Sequence, residues 1–220
     1  MLTPEEQQRL DQVVDVAEYQ LKTMAESRAL LKNVLEMIAA AGEKSPIRAE
    51  DLVGAGEDER VKNVMGLSAL FRAEAACLVG DYWRANGFRK QFYGRTLVLV
   101  IYETTLTFRN LLGPQFRHTV TSRIGIDVDK KLLSAHRFVC KSFDQCRAQF
   151  GELRNGLLGH RSQDADRREI LFSTFDGELA IARSAELFPV LTELSEILAV
   201  YSVRSCEALK EVESSIRSLR

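Results

Sequence analysis

Proline is scarce in this sequence, and long apolar stripes run between the few prolines that occur. The 220 residues contain four prolines, namely Pro4, Pro46, Pro114 and Pro189. Since proline breaks helix interiors, this scarcity favours long helices over many short strands. Hydrophobic residues make up 45% of the chain and charged residues 28%, as in an ordinary globular protein. The sequence therefore predicts one all-α domain over residues 1–220, a bundle of about five helices.

The N-terminal half divides at glycine and proline into helices and loops. Thr3, Pro4 and Glu6 form the pattern of a capping box with proline in the first turn, so a helix is predicted from about Pro4 to Ala41. The next predicted segments are a loop at 42–60, a helix at about 61–85, a helix at about 89–112 and a connecting loop at 115–129.

A fourth helix is predicted from an apolar seam with spacings of four and three. Its members are Leu132, His136, Val139, Phe143, Cys146, Phe150, Leu153 and Leu157. Such a seam packs against other helices or against a partner chain. For His136 the prediction is a satisfied interior histidine. The next seam position after Leu157 is His160, so a histidine continues the stripe at the helix end.

The segment after the fourth helix changes its periodicity. Residues 161–168 are polar and charged, and Asp176-Gly177 then lies between two partly alternating apolar runs. This pattern predicts a small β-hairpin at about 169–183. The last helix is predicted at about 186–215, with Pro189 in its first turn.

Composition and cysteine spacing exclude several classes of protein. The formal net charge is −1, which argues against a general nucleic-acid binder. No motif in the sequence indicates specificity for DNA. The four cysteines form no CxxC pair and no ligand-like spacing with histidine, so no metal and no cofactor is expected. A polar N-terminus without a secretory signal, and apolar runs too short to span a bilayer, predict a cytoplasmic protein with no membrane partner.

One segment, Arg154-Asn155-Gly156-Leu157-Leu158-Gly159-His160, combines residue types that suit chemistry on phosphate. Arginine offers a fixed cation with forked donors. Histidine exchanges protons near neutral pH, and asparagine can orient the imidazole or a phosphate through its amide. Together they suit metal-free RNA cleavage, with the ribose 2′-OH as the nucleophile and Arg154 stabilising charge on phosphorus.

Regular helix geometry would separate the two principal side chains. Six residues of ideal α-helix leave Arg154 and His160 about 120° apart around the axis and about 9 Å apart along it. Gly156 and Gly159 weaken the helix between them. Either the last turn distorts, or a second copy of the chain completes the site across a two-fold axis.

This arrangement resembles the HEPN superfamily of helical ribonucleases. The family signature is an arginine, often followed by Asn, Asp or His, with a histidine four to six residues after the arginine. Arg154, Asn155 and His160 match it, and the flanking Glu152-Leu153 and Gly159-His160-Arg161 resemble HEPN proteins of abortive-infection and toxin–antitoxin systems.

The resemblance implies a four- or five-helix bundle with the motif near the end of a late helix. It also implies a homodimer formed through the motif face, metal-independent RNA cleavage and a role in phage defence or growth control, with an antitoxin protein as a partner. Glu103, within the apolar third helix, is a candidate acidic support for Arg154; the alternative is an exposed side chain or one paired elsewhere. Arg161, Arg167 and Arg168 are candidate RNA-binding residues, and the alternative for them is a solvated charged loop.

Two alternatives to catalysis remain open. Arg154 and His160 also suit an ordinary helix C-terminus, where basic groups interact favourably with the helix dipole. The chain would then be a non-catalytic helical interaction or dimerisation module. A second alternative is a regulator that binds RNA or a protein through a degenerate HEPN site.

Overall fold

The described part of the chain is helical. A computed structural model describes residues 2–41, 55–154 and 175–218. These residues contain no strand, which confirms the predicted all-α class. In chain order their elements are α1 (Pro4–Ala41), α2 (Ala55–Arg84), α3 (Gly87–Leu111), α4 (Pro114–Ile124), a 3-10 helix (Ile126–Val128), α5 (Asp129–Leu153) and α6 (Gly177–Arg217).

The predicted capping box begins α1. The Glu6 backbone N–H donates to the Thr3 hydroxyl at 3.2 Å, and the Thr3 N–H donates to a Glu6 carboxylate oxygen at 2.7 Å. The hydrogen bond from the Thr3 backbone N–H, and after it one from the Thr3 side chain, lowers the pKa of Glu6 because both favour the charged carboxylate. The predicted bounds of this helix, Pro4 to Ala41, are confirmed.

The predicted loop at 115–129 is wrong, because most of it is helical. Pro114 occupies the first turn of α4, and Gly113 precedes it as the N-cap. Phe116 and Val120, one turn apart, are almost completely buried. Proline therefore marks the start of a helix here as well as the end of the preceding one. The predicted loop at 42–60 is also wrong over its last part, since α2 begins at Ala55.

The predicted β-hairpin at 169–183 is wrong over residues 177–183, which form the first turns of α6; residues 169–174 lie outside the described part. The Asp176 carboxylate accepts hydrogen bonds from the N–H groups of Glu178 and Leu179 at 2.9 and 3.2 Å. Asp-Gly thus caps a helix and does not form a hairpin turn. Because α6 starts at Gly177, Pro189 lies in its interior and not in its first turn.

Two apolar clusters hold the helices together. The larger is centred on α3, whose Leu97, Val98 and Ile101 are completely buried, and it includes residues of every α-helix. A smaller cluster joins the far ends of α1 and α6 through Val34, Ile38, Leu209 and Ile216, all nine-tenths or more buried.

Polar groups cross the interior between α2 and α6. The Ser68 hydroxyl lies 2.9 Å from the Ser195 hydroxyl and donates to the carbonyl oxygen of Leu191 at 3.1 Å. One turn away, the buried Arg72 guanidinium donates to the carbonyl oxygen of Ser68 and to the amide oxygen of Gln20. Burial lowers the pKa of Arg72 because it disfavours the charged form.

Candidate functional site

The packing of α3 against α5 positions the first residue of the motif. The two helices run antiparallel, since contacts that advance along α5 from His136 to Phe143 move back along α3 from Arg109 to Tyr102. The His136 Nε2 lies 3.2 Å from the carbonyl oxygen of Arg109. Farther along α5, the Phe143 ring packs edge-to-face against Tyr102 with centroids 5.5 Å apart, and the Arg109 guanidinium lies 4.9 Å from the Phe143 centroid.

Arg154 follows the last residue of α5 and is held by two side chains of α3. One guanidinium nitrogen donates to a Glu103 carboxylate oxygen at 3.0 Å, and the guanidinium carbon lies 5.4 Å from the centroid of the Tyr102 ring. The structure therefore brings together Arg154 and its predicted acidic support. Such a partly exposed ion pair contributes about 0–1 kcal/mol, and the cation–π contact about 0.5–1 kcal/mol.

This setting restricts the guanidinium and leaves part of the side chain in contact with solvent. The Glu103 carboxylate binds one edge of the planar guanidinium and the Tyr102 ring lies against one of its faces, so that the cation has a preferred orientation. The side chain is 31% exposed, which lets a phosphate approach it from solvent. A held but accessible arginine can stabilise a developing negative charge on a phosphodiester, with little reorganisation during the reaction.

The rest of the predicted motif follows directly in the sequence. Asn155, His160, Arg161, Arg167 and Arg168 lie outside the described residues. At Arg154 the backbone dihedral angles are still right-handed helical, and its N–H donates to the carbonyl oxygens of Phe150 and Gly151.

A second cluster of side chains lies where α2 turns into α3. We call residues 82–95 the aromatic–basic corner, since they contain five aromatic and four cationic residues and no acidic one. The Lys90 ammonium lies 4.7 Å from the Tyr82 ring centroid and 5.0 Å from that of Trp83. Sequence reasoning missed this corner because it weighed net charge over the whole chain; the run of aromatic and basic residues was the available signal.

An apolar groove lies between α1 and α6. Its volume is about 440 Å³, and its floor includes Met24 and Met65. Val16, Tyr19 and Val203 line it and are 49%, 71% and 58% exposed. The groove offers contact area to an apolar partner, and Lys62, Cys206 and Glu207 are among the polar residues that line it.

Within the described ranges, no three His, Cys, Asp or Glu side chains group as metal ligands do. In the same ranges no helix has both the length and the apolar content for crossing a bilayer. Comparison of the chain with protein-family models, with curated proteins and with solved structures finds no match.

Proposed function

We propose that this protein is a metal-independent endoribonuclease of the HEPN type. The observation that carries the proposal is the placement of Arg154 at the end of α5, held by Tyr102 and Glu103 while still exposed to solvent. In the sequence, His160 follows six positions later. A fixed cation and a nearby proton-exchanging group are what RNA needs for cleavage, since its ribose supplies the nucleophile.

The proposed reaction is an internal transesterification. The ribose 2′-oxygen attacks phosphorus as its proton leaves, and the bond from phosphorus to the 5′-oxygen breaks as that oxygen gains a proton. His160 is assigned to one of these two proton transfers and Arg154 to the charge on the phosphorane, while Asn155 orients either the imidazole or the phosphate. The products are a 2′,3′-cyclic phosphate and a free 5′-hydroxyl, with no change of oxidation state.

The biological setting follows from the resemblance to HEPN proteins. We propose a cytoplasmic homodimer that joins two motif segments around one cleft, and that acts in phage defence or in growth control by a toxin–antitoxin pair. Arg161, Arg167 and Arg168 are proposed to bind RNA beside the motif. The RNA is the substrate, and an antitoxin protein is the proposed regulator.

The decisive experiment measures cleavage of single-stranded RNA by His160→Ala and Arg154→Ala. Each substitution is expected to lower the cleavage rate by about 10²- to 10⁴-fold, the usual effect of losing an acid–base or charge-stabilising group. His118→Ala, which removes an exposed histidine of α4, is the matched control and should keep the full rate. EDTA should not change the rate, and the products should carry 2′,3′-cyclic phosphate.

The proposal fails if His160→Ala cleaves RNA as fast as the unsubstituted protein at an equal helical content and melting temperature. It also fails if EDTA abolishes the activity. If Arg154 and His160 belong to an ordinary helix C-terminus without catalysis, a different result is expected. No variant should then cleave RNA, and His160→Ala should affect only assembly.

The apolar groove between α1 and α6 favours the competing candidate, a non-catalytic interaction module that assembles as a homodimer. Its valine and tyrosine side chains remain largely exposed after folding, and such exposed apolar side chains offer a contact surface to a partner. In that case a second copy of the chain covers the groove. The cleavage experiment separates the two candidates, since the module has no activity to lose.

A further inference from the structure

The aromatic–basic corner presents two large rings to solvent at the start of α3. Phe88 and Phe92 are 68% and 51% exposed, although they lie one turn apart on the same face of the helix. By contrast, Tyr82 of the same corner is buried, with 6% of its surface exposed. Neither phenylalanine ring belongs to the large apolar cluster, and adjacent exposed aromatic side chains mark binding surfaces.

Cationic side chains accompany these rings. The Arg95 guanidinium carbon lies 5.7 Å from the Phe88 centroid, and Lys90 covers Tyr82 and Trp83. Arg89 is exposed beside Phe88. The formal charge of residues 82–95 is +4, whereas that of the whole chain is −1. Such a patch attracts a polyanion with flat, stackable groups.

Among the residues that the structure describes, three carboxylates border the corner on the side of Tyr82. Asp81 pairs with Arg84 at 3.5 Å, and Glu178 and Asp176 lie close enough to Tyr82 to raise its pKa, after the larger effect of burial. These acids offset part of the charge near the end of α2. The cations expected to hold phosphates are therefore those on α3.

One face of α3 connects this corner to the candidate site. Phe88, Phe92, Arg95, Leu99 and Tyr102 follow at spacings of four, three, four and three, so that they lie on a single side of the helix. Tyr102 at the end of this stripe contacts Arg154. The stripe is about 21 Å long at 1.5 Å per residue. A bound strand that follows it would run from the exposed rings to the held guanidinium.

We propose that this face of α3 binds single-stranded RNA, with bases stacked on Phe88 and Phe92 and phosphates held by Arg89, Lys90 and Arg95. The choice of RNA as the polyanion rests on the proposed ribonuclease function, and the surface would deliver substrate to the same site. Stacking on aromatic rings requires unpaired bases, so double-stranded RNA is excluded from this mode of binding.

The test is fluorescence anisotropy of the full chain with a labelled 2′-O-methyl oligouridine of about 12 nucleotides, within the roughly 4–16 nucleotides that single-strand binding modules cover. This probe has no free 2′-hydroxyl and cannot be cleaved by the proposed reaction. We expect Phe88→Ala with Phe92→Ala to raise the Kd by about tenfold for each ring removed. The matched control, Ile126→Ala with Val200→Ala, removes two exposed apolar side chains outside both α3 and the apolar groove and should leave the Kd unchanged.

A salt titration tests the phosphate contacts separately. Arg89→Glu should lower the slope of log K against log salt by about 0.7 for the phosphate contact removed from a single strand. Arg137→Glu, an equal charge change at an exposed position on α5, should not change it. Equal slopes for the two variants would contradict the assigned phosphate contact.

Three results would overturn the proposed surface. They are unchanged binding by the double phenylalanine variant, equally tight binding of a duplex of the same length, and a shift of that variant to a smaller species in sedimentation, which would make the corner a protein interface. These failures differ from a failure of the nuclease. If the protein cleaves ordinary RNA but does not bind it at the corner, the nuclease proposal survives and the surface proposal fails. If the corner binds RNA but no cleavage occurs, the surface proposal survives and the nuclease proposal fails.

Discussion

At position 177 a neighbouring aromatic ring leaves no room for a side chain larger than the hydrogen of glycine. A Cβ atom built on Gly177 would lie 2.5 Å from Tyr82 Cε2 and 2.7 Å from its hydroxyl oxygen. The Tyr82 ring cannot withdraw easily, because it packs edge-to-face against Trp83 with centroids 5.4 Å apart and Lys90 lies over it. This single position therefore couples the start of α6 to the end of α2.

Gly177→Ala is expected to destabilise the protein by about 1–3 kcal/mol, the usual cost of overpacking an interior site. Gly80→Ala is the matched control in α2, where the added Cβ would meet Leu10 and Gln7 at 3.7 and 3.8 Å, in ordinary contact. The control should be neutral or should stabilise by up to about 1 kcal/mol, since alanine favours helix over glycine. Chemical denaturation measures both; equal effects would refute the steric argument.

The candidate site shows what a sequence can predict about single residues. The pairing of Glu103 with Arg154 was a candidate because an acid lay in an otherwise apolar helix, and the structure places the two 3.0 Å apart. The contact of Arg154 with Tyr102 was not predicted. It depends on the antiparallel alignment of α3 and α5, which spacing within either helix does not specify.

At the level of elements, α6 depends on its first residues. Asp176 satisfies two N–H groups that would otherwise have no partner in the first turn of a helix. Because Gly177 and the interior Pro189 both weaken helix, the cap supplies stabilisation where intrinsic propensity is low.

Asp176→Ala is therefore expected to lower the free energy of unfolding by about 0.5–2 kcal/mol, as for other N-cap replacements. Asp176→Asn keeps an oxygen acceptor and should retain most of the stability. Thermal or urea denaturation of the two variants provides the measurement. A loss as large for asparagine as for alanine would show that the carboxylate charge matters more than the cap.

Elements with strong local signals were predicted well, and those with ambiguous signals were not. The capping box predicted the correct start of α1, and the apolar stripe along this helix predicted its length. Asp176-Gly177 is compatible with either a hairpin turn or a helix start, and local sequence does not decide between them; in the structure Asp176 caps the helix and Gly177 lies against Tyr82. Pro114 is similarly ambiguous, because proline both ends one helix and suits the first turn of another.

Within the part of the chain that the structure describes, apolar packing divides into two unequal regions. The larger is centred on α3, while the far ends of α1 and α6 meet in the small cluster around Val34, Ile38, Leu209 and Ile216. Few apolar contacts imply a low local opening energy. The far ends of these two helices should therefore open without unfolding the rest.

Hydrogen exchange of two isoleucine variants tests this division. Ile216→Ala, at a position 1% exposed, should speed amide exchange at the far ends of α1 and α6 while exchange in α3 stays nearly unchanged. Ile101→Ala, at a completely buried position in α3, should cost about 2–5 kcal/mol and speed exchange throughout the slowest amides. A uniform change in both variants would indicate one cooperative unit.

The hydroxyl contact between Ser68 and Ser195 favours one longitudinal alignment of α2 against α6, because a shift of either helix by a turn would separate the two oxygens. Each group left unsatisfied in the interior would cost about 1–3 kcal/mol. Sliding of α2 along α6 is therefore disfavoured. Relative motion of the two helices should take the form of tilting or fraying, which leaves the contact between the two hydroxyls in place.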